Sequence, residues 1–188
     1  MQAKGFAVIA SDNQINYDNR RVRVPGPAAK LQPVGDYLIG FAGDLRAGQI
    51  LHYLFKPPAP VNVKALPELD EFITAVFIPL LKQTWDKHGY SQPADDSNDG
   101  GTVMLISVLG VIYEIGSDYS WTRDQRHIYG IGTGGDYAIG YMSGYNPPLS
   151  KVQSETVIHQ ALCTAHEYDI NTSNEIVLYS QATKRGLL

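Results

Sequence analysis

The succession of strand-like and helix-like segments constrains the fold of this chain more than any single motif. GFAVIAS (5–11) and DYLIGFAG (36–43) read as strands: short, apolar and bounded by turn residues. Between them, DNQINYDNRR reads as a turn and exposed loop, and PGPAAK bends the chain ahead of Lys30. Two helices follow. Asp44 suits the N-cap of the first, in which Ala47, Ile50, Leu51, Leu54 and Phe55 keep helical spacing. KPPAPVNVKALP breaks it. In the second, Leu69, Phe72, Ile73, Val76, Leu80 and Leu81 share a face, Pro79 predicts a kink and Gly89 suits the end. TVMLISV and VIYEI flank Leu109-Gly110 as a hairpin, and RHIYGI reads as another strand. Helices are predicted over about 135–143 and 150–168, and EIVLYS is a last strand. Strands, paired helices, strands, paired helices, strand is not the alternation of a doubly wound sheet. It predicts antiparallel sheets packed on each other with helical layers outside, which makes strands apolar on both faces.

The chain has 188 residues, enough for a single domain over 1–188, and its 44% hydrophobic and 18% charged content supports a real core. A net charge of -4 argues against a nucleic-acid surface. The densest basic patch, Arg20, Arg21 and Arg23, reads as a solvated face. A single cysteine, Cys163, excludes an intrachain disulfide and fits a reducing compartment. With no membrane-length apolar run and no apolar signal core, the expectation is a cytoplasmic protein that binds neither membrane nor nucleic acid.

Gly130, Gly132 and Gly135 spell G-x-G-x-x-G, the spacing of a dinucleotide fingerprint. That reading needs a βαβ unit and an acid at a strand end about 20 residues on. Here the motif comes late, no parallel crossover precedes it, and Glu155 falls in a predicted helix. DDSNDG has the acids of a calcium loop, but Ile106 stands where the closing glutamate belongs, so it reads as a solvated polar loop. His159, Cys163 and His166 share a helix face at i, i+4 and i+7 without an obvious fourth ligand. G-K-[ST], G-x-S-x-G, H-E-x-x-H and C-x-x-C are all missing.

Taken in order, GFAVIASDNQ, AAKLQPVGDYLIGFAGDLRAGQILHYL, MLISVLGVIYEIGSDYS, IYGIGTGGDYAIGYMSG and ALCTAHEYDINTSNEIVLYS resemble proteasome β-type subunits, and most of all the HslV-type peptidases. The resemblance implies an α+β fold, the four-layer αββα sandwich of N-terminal-nucleophile hydrolases. It implies a threonine-type peptidase subunit that hydrolyses polypeptide substrates inside a homo-oligomeric ring, with an ATP-dependent unfoldase as partner. In that family the nucleophile is the first residue of the mature chain, and its own α-amine serves as base. By resemblance, Lys30 is the lysine that keeps the site cationic, and Asp12 the carboxylate that holds it. Gly43 offers the oxyanion N–H, Thr133 sits near the nucleophile's amine, and Asp169 and Thr172 complete its network. No cofactor is implied; a structural monovalent or divalent cation near Asp169 is the one addition the resemblance allows. Tyr137, Tyr141 and Tyr145 read equally as ring contacts or as packing under the sheet.

The pattern is broken at its start. The family has a strand of roughly nine residues ahead of the Gly5 position, opening with the nucleophile; here only MQAK precedes Gly5. No threonine, serine or cysteine stands there, so no nucleophile is identified in the chain. Two explanations are open: an internal methionine with a catalytic threonine about five codons upstream, or an inactive homologue kept as a structural or assembly subunit. Thr102, after DGG, is an internal threonine that processing would cut away from the first strands.

Overall fold

The computed structural model describes residues 1–3, 5–17, 20–24, 29–91, 101–145 and 149–187. The DDSNDG loop lies outside these. Two antiparallel sheets form the centre. One is β1 (Gln2–Ala3), β2 (Phe6–Asp12) and β10 (Ile176–Ala182), in the order β1-β2-β10. The other runs in sequence order through β5 (Leu31–Val34), β6 (Tyr37–Ala42), β7 (Val103–Val108), β8 (Val111–Ile115) and β9 (Trp121–Thr122). Helices α1 (Leu45–Tyr53), α2 (Leu66–Phe72) and α3 (Ile78–Lys87) cover the larger sheet; α4 (Gly135–Met142) and α5 (Lys151–Tyr168) cover the smaller. This is the four-layer α+β sandwich expected from the element order.

The period-2 alternation of the strands decides which layer each side chain enters. In β6, Tyr37, Ile39 and Phe41 join the helical core while Leu38 turns to the other sheet. In β7, Met104, Ile106 and Val108 go to the helices and Leu105 to the sheet; in β8, Val111, Tyr113 and Ile115 oppose Ile112 in the same way. The middle layer is closed by Ala7 and Ile9 from β2, with Leu31 and Tyr129. Val8, pointing the other way, meets Ala138, Met142, Ile158 and Ala161 of α4 and α5. Two glutamines, the buried Gln2 and the part-buried Gln181, stitch the sheets together. Gln2 Oε1 accepts from Ile112 N–H at 2.8 Å, and Gln181 Oε1 accepts from the Ser107 hydroxyl and Gly110 N–H, each at 2.8 Å.

Four local readings come out differently or in unexpected form. The segment read as a loop after Asp12 is a separate two-stranded ribbon, β3 (Gln14–Tyr17) with β4 (Arg20–Arg23), in which Gln14 faces Arg23 and Tyr17 faces Arg20. Its polar alternation masks a strand because neither face packs under a core. RHIYGI is not a strand: His127 takes φ 60°, and beside the two-residue β1 the ladder reduces, among the described residues, to Gln2 N–H donating to His127 O. The helix continues through Pro79. A π-helical turn over Ile73–Phe77 precedes it, with Ile78 N–H reaching Ile73 O, so the helix widens where proline removes a donor. Asp44 is the N-cap of α1, but its side chain makes no capping bond. The hairpin at Leu109 (φ 53°) and Gly110 (φ 75°) and the start of α5 agree with the sequence, the latter with a full Ser150–Gln153 capping box.

His52 of α1 tucks under β6, with its Nε2 3.2 Å from Ile39 O and its ring edge-on to Phe41. Burial lowers its pKa against an opposing hydrogen bond to Ile39. The unfolded chain therefore binds this proton more readily than the folded one, and stability is lost as pH falls through the ordinary histidine range near 6.5. His52→Gln is expected to flatten the decline in melting temperature between about pH 7 and pH 5. An unchanged slope would remove His52 as its source.

Candidate active site

Asp12 ends β2, and its carboxylate is held from several sides. Oδ2 accepts from Lys30 Nζ at 2.9 Å, and Oδ1 accepts from Gln14 N–H at 2.7 Å and, more loosely, from Ser173 N–H at 3.4 Å. Lys30 is placed by its own backbone: Phe41 N–H donates to Lys30 O, and the next residue, Leu31, is fully buried between the sheets. The two side chains retain 22% and 12% exposure, a part-buried pair that stays in reach of solvent.

A second cluster faces this pair. The Thr133 and Thr172 hydroxyls both donate to Asp169 Oδ2 at 2.7 Å, and Asn171 N–H donates to Oδ1 at 3.1 Å. Burial works against the Asp169 carboxylate, but the bonds from Thr172, Thr133 and Asn171, together with the Lys30 charge, hold its pKa below the ordinary value. The charged network is thus intact above the usual carboxylate range and is lost as pH falls through that lowered value. His166, in the last turn of α5, braces the loop with Nδ1 2.8 Å from Thr172 O. That is what the i+7 member of the His159–Cys163–His166 stripe does. His159 and Cys163 make their own contact at 3.6 Å, and among the described residues no group of three potential ligands could hold a metal.

The glycine run has a steric explanation. A Cβ on Gly134 would collide with the Thr172 hydroxyl, and one on Gly130 would stand 2.6 Å from Gly135 O. Gly134 is pressed against the Asp169 loop and Gly130 against Gly135, so only glycine fits at these two positions, and the helix that follows begins at once. All strand pairs among the described residues are antiparallel, so the βαβ unit of a dinucleotide cradle is absent there.

Asp12, Lys30, Thr133 and Thr172 line one cavity of about 130 Å³, walled below by apolar side chains such as Met142 and Ile158. Asp169 joins through its bonds to the two threonines. Gly43 follows Ala42, itself in the lining, and a Cβ on Gly132 would touch Ala42 Cβ at 3.1 Å, which brings the β6 end against the glycine loop. Five of the six residues singled out by resemblance therefore line this cavity or bond directly to its lining, and Gly43 follows the lining residue Ala42. Sequence reasoning missed the braces. Gln14 Nε2 donates to Ile170 O at 2.9 Å, Asn16 Nδ2 to Asn171 Oδ1 at 2.6 Å, and Arg23 pairs with Glu175 at 2.8 Å, so the β3–β4 ribbon is fastened to the Asp169 loop. Thr102 proves fully buried and bonded, not an exposed end.

The edge of β2 completes the site. Met1 exchanges both backbone bonds with Val8, and Gln2 pairs with Ala7. Among the described residues no strand covers Ile9–Asp12 on that side. The buried Ser11 and Ser173 hydroxyls and Asn13 Oδ1, flanking Asp12, have no hydrogen-bond partner there.

No protein-family model and no curated protein matches this chain. Solved structures do. BPH from Thiobacillus denitrificans, in complex with epoxomicin, is similar at 18% identity and TM-score 0.68, over 96% of this chain and 94% of that one. HslV from Trypanosoma brucei aligns at 17% identity and TM-score 0.62, over 94% and 93%. Anbu, an ancestral beta-subunit from Yersinia bercovieri, aligns at 14% identity and TM-score 0.67, over 97% of this chain and 80% of that one. With its antiparallel sheets, outer helix pairs and glycine-lined cavity, the chain has the proteasome β/HslV-type N-terminal-nucleophile fold.

Proposed function

We propose that this chain is a threonine-type peptidase subunit whose site is completed by a strand joined ahead of Met1. The observation that carries this reading is the convergence of the Lys30–Asp12 pair and the Asp169 cluster on one cavity beside the uncovered edge of β2. Continued in register, β1 would bring a residue four places ahead of Met1 opposite Asp12. There its hydroxyl would lie near the Lys30 ammonium and its α-amine near Thr133 and Asp169. The α-amine takes the hydroxyl proton, the oxygen attacks the peptide carbonyl, and Gly43 N–H receives the developing oxyanion. The proton passes to the departing amine as the C–N bond breaks, and water then hydrolyses the ester. Lys30 acts by charge: it stabilises the alkoxide without giving up its own proton.

The proposal extends to a homo-oligomeric ring in a cytoplasmic setting, fed with polypeptide by an ATP-driven unfoldase. Among the described residues no helix is long and apolar enough to cross a membrane. Tyr137, 44% exposed and stacked on Tyr168 at 5.9 Å, leaves an aromatic surface on α4 and α5 suited to subunit contact.

Intact mass and N-terminal sequencing of the natively expressed protein test the reading, together with an epoxyketone probe. A mature chain that opens with threonine four or five residues ahead of Met1, and forms the adduct there, is the expected result. A mature chain that starts at Met1 or Gln2 and takes no adduct would overturn it and favour a structural or assembly subunit of the same fold.

A further inference from the structure

Gly43 sits at the end of β6 with φ 113°, a conformation that side-chain-bearing residues rarely adopt. It is pressed against the strand that follows the 91–101 segment: a Cβ there would stand 2.8 Å from Gly101 O and 3.0 Å from Thr102 Cα. On one side the turn is held by the β6–β7 ladder, in which Ala42 faces Val103. On the other side the next residue, Asp44, gives its N–H to the Thr102 hydroxyl at 3.2 Å. Thr102 is fully buried, and its hydroxyl also meets the Tyr90 hydroxyl at 3.0 Å. Tyr90 in turn packs edge-on against Trp85, whose Nε1 donates to Ala47 O in α1. The side chain of Asp44 makes no cap, so the ordering of this helix entry falls to Thr102.

We propose that Thr102 and Tyr90 are positioning residues that aim the Gly43 N–H into the cavity. The direction of a peptide N–H follows the dihedrals on both sides of it. The ladder fixes the first, and the Asp44–Thr102 bond holds the peptide plane that follows, which restrains the second through Gly43. Without the Thr102 hydroxyl, the part-buried Asp44 N–H bond is lost and Tyr90 loses a partner, while Gly43, having no Cβ, is free to swing. An oxyanion donor that wanders stabilises the transition state less and leaves substrate binding alone. The catalytic consequence rests on the peptidase reading; the pinning itself does not.

The test has two arms. Amide hydrogen exchange on the chain as it stands, for wild type, Thr102→Val, Thr102→Ser and Tyr90→Phe, reads the pinning directly. Exchange at Asp44, whose N–H is the bonded one, is expected to quicken about tenfold or more in Thr102→Val, less in Tyr90→Phe, and to return close to wild type in Thr102→Ser, with β7 and β8 amides unchanged. In a threonine-bearing, active form, kcat is expected to fall about tenfold or more in Thr102→Val with KM within twofold, and Thr102→Ser to restore it. Exchange at Asp44 that does not change in a folded Thr102→Val or Tyr90→Phe overturns the proposal. A uniform acceleration across β6 to β8 also overturns it, since that marks general loss of stability. A wild-type threonine-bearing form that turns nothing over sinks the peptidase reading and leaves the exchange result to decide the pinning.

Discussion

In a threonine-bearing, active form of this protein, Lys30→Ala is expected to lower peptide turnover by roughly a thousandfold, the upper part of the range for loss of one preorganised electrostatic group. Lys30 Nζ lies 2.9 Å from Asp12 Oδ2, and its charge also reaches the Asp169 carboxylate. Its removal leaves two carboxylates facing one small cavity with no cation between them. That field disfavours the alkoxide the reaction needs, whatever else the variant preserves. Asp12→Ala should act more mildly: it frees the lysine to wander but leaves its charge in the cavity. Lys30→Arg should not rescue, since a planar guanidinium cannot occupy the place of a compact ammonium beside Asp12. Turnover of a fluorogenic peptide, with a melting curve to show that each variant is folded, makes the comparison. Activity of Lys30→Ala within tenfold of wild type would remove the lysine from the chemistry.

The layers of this fold were legible because the core writes them into the sequence twice. Leu38 and Leu105 oppose their neighbours within β6 and β7, and apolar residues on both faces announce a strand covered on both sides. The helix pairs and the Leu109-Gly110 turn were legible for similar local reasons. The ribbon β3–β4 was not, because its partners are polar and distant: Asn16 and Gln14 reach residues 155 and 156 positions away. Nothing local marks such a bond. The same holds at the site. Asp12, Lys30, Gly43, Thr133, Asp169 and Thr172 were named through a resemblance, and no spacing among them signals that they meet. The G-x-G-x-x-G spelling invited a phosphate reading, whereas Gly130 and Gly135 answer to each other's closeness and Gly132 to a positive φ against Ala42, and Gly134, outside the spelling, is the one pressed on the Asp169 loop. His166 aligns with His159 and Cys163 without a fourth ligand in the sequence, and what it does is brace the Asp169 loop, since a helix face shows which residues align and not what lies opposite them.

Trp85→Ala is expected to destabilise the fold by about 3–5 kcal/mol, the usual cost of emptying an aromatic site in a close-packed core. Trp85 is fully buried in the helical layer. Its ring lies 5.3 Å from Tyr90 and 5.9 Å from Tyr119, and its Nε1–H is satisfied by Ala47 O at 3.3 Å. Alanine leaves a cavity between α1, α3 and the Tyr119 turn that neighbours on three separate elements cannot collapse together to fill. Denaturant unfolding should show the midpoint falling with an unchanged slope, and the melting temperature dropping by about 10 °C or more for a chain of this size. Trp85→Phe, which keeps an aromatic ring but loses the N–H, should lose clearly less. If both variants cost the same, the ring contacts are not what the tryptophan contributes, and the hydrogen bond to α1 must carry its effect. If neither costs more than about 1 kcal/mol, the helical layer is not packed around Trp85. Because Tyr90 leans on this ring, Trp85→Ala should also quicken exchange at Asp44, whose N–H bonds Thr102. The stability of the outer layer and the geometry of the β6 end are then one structural problem, joined through Thr102.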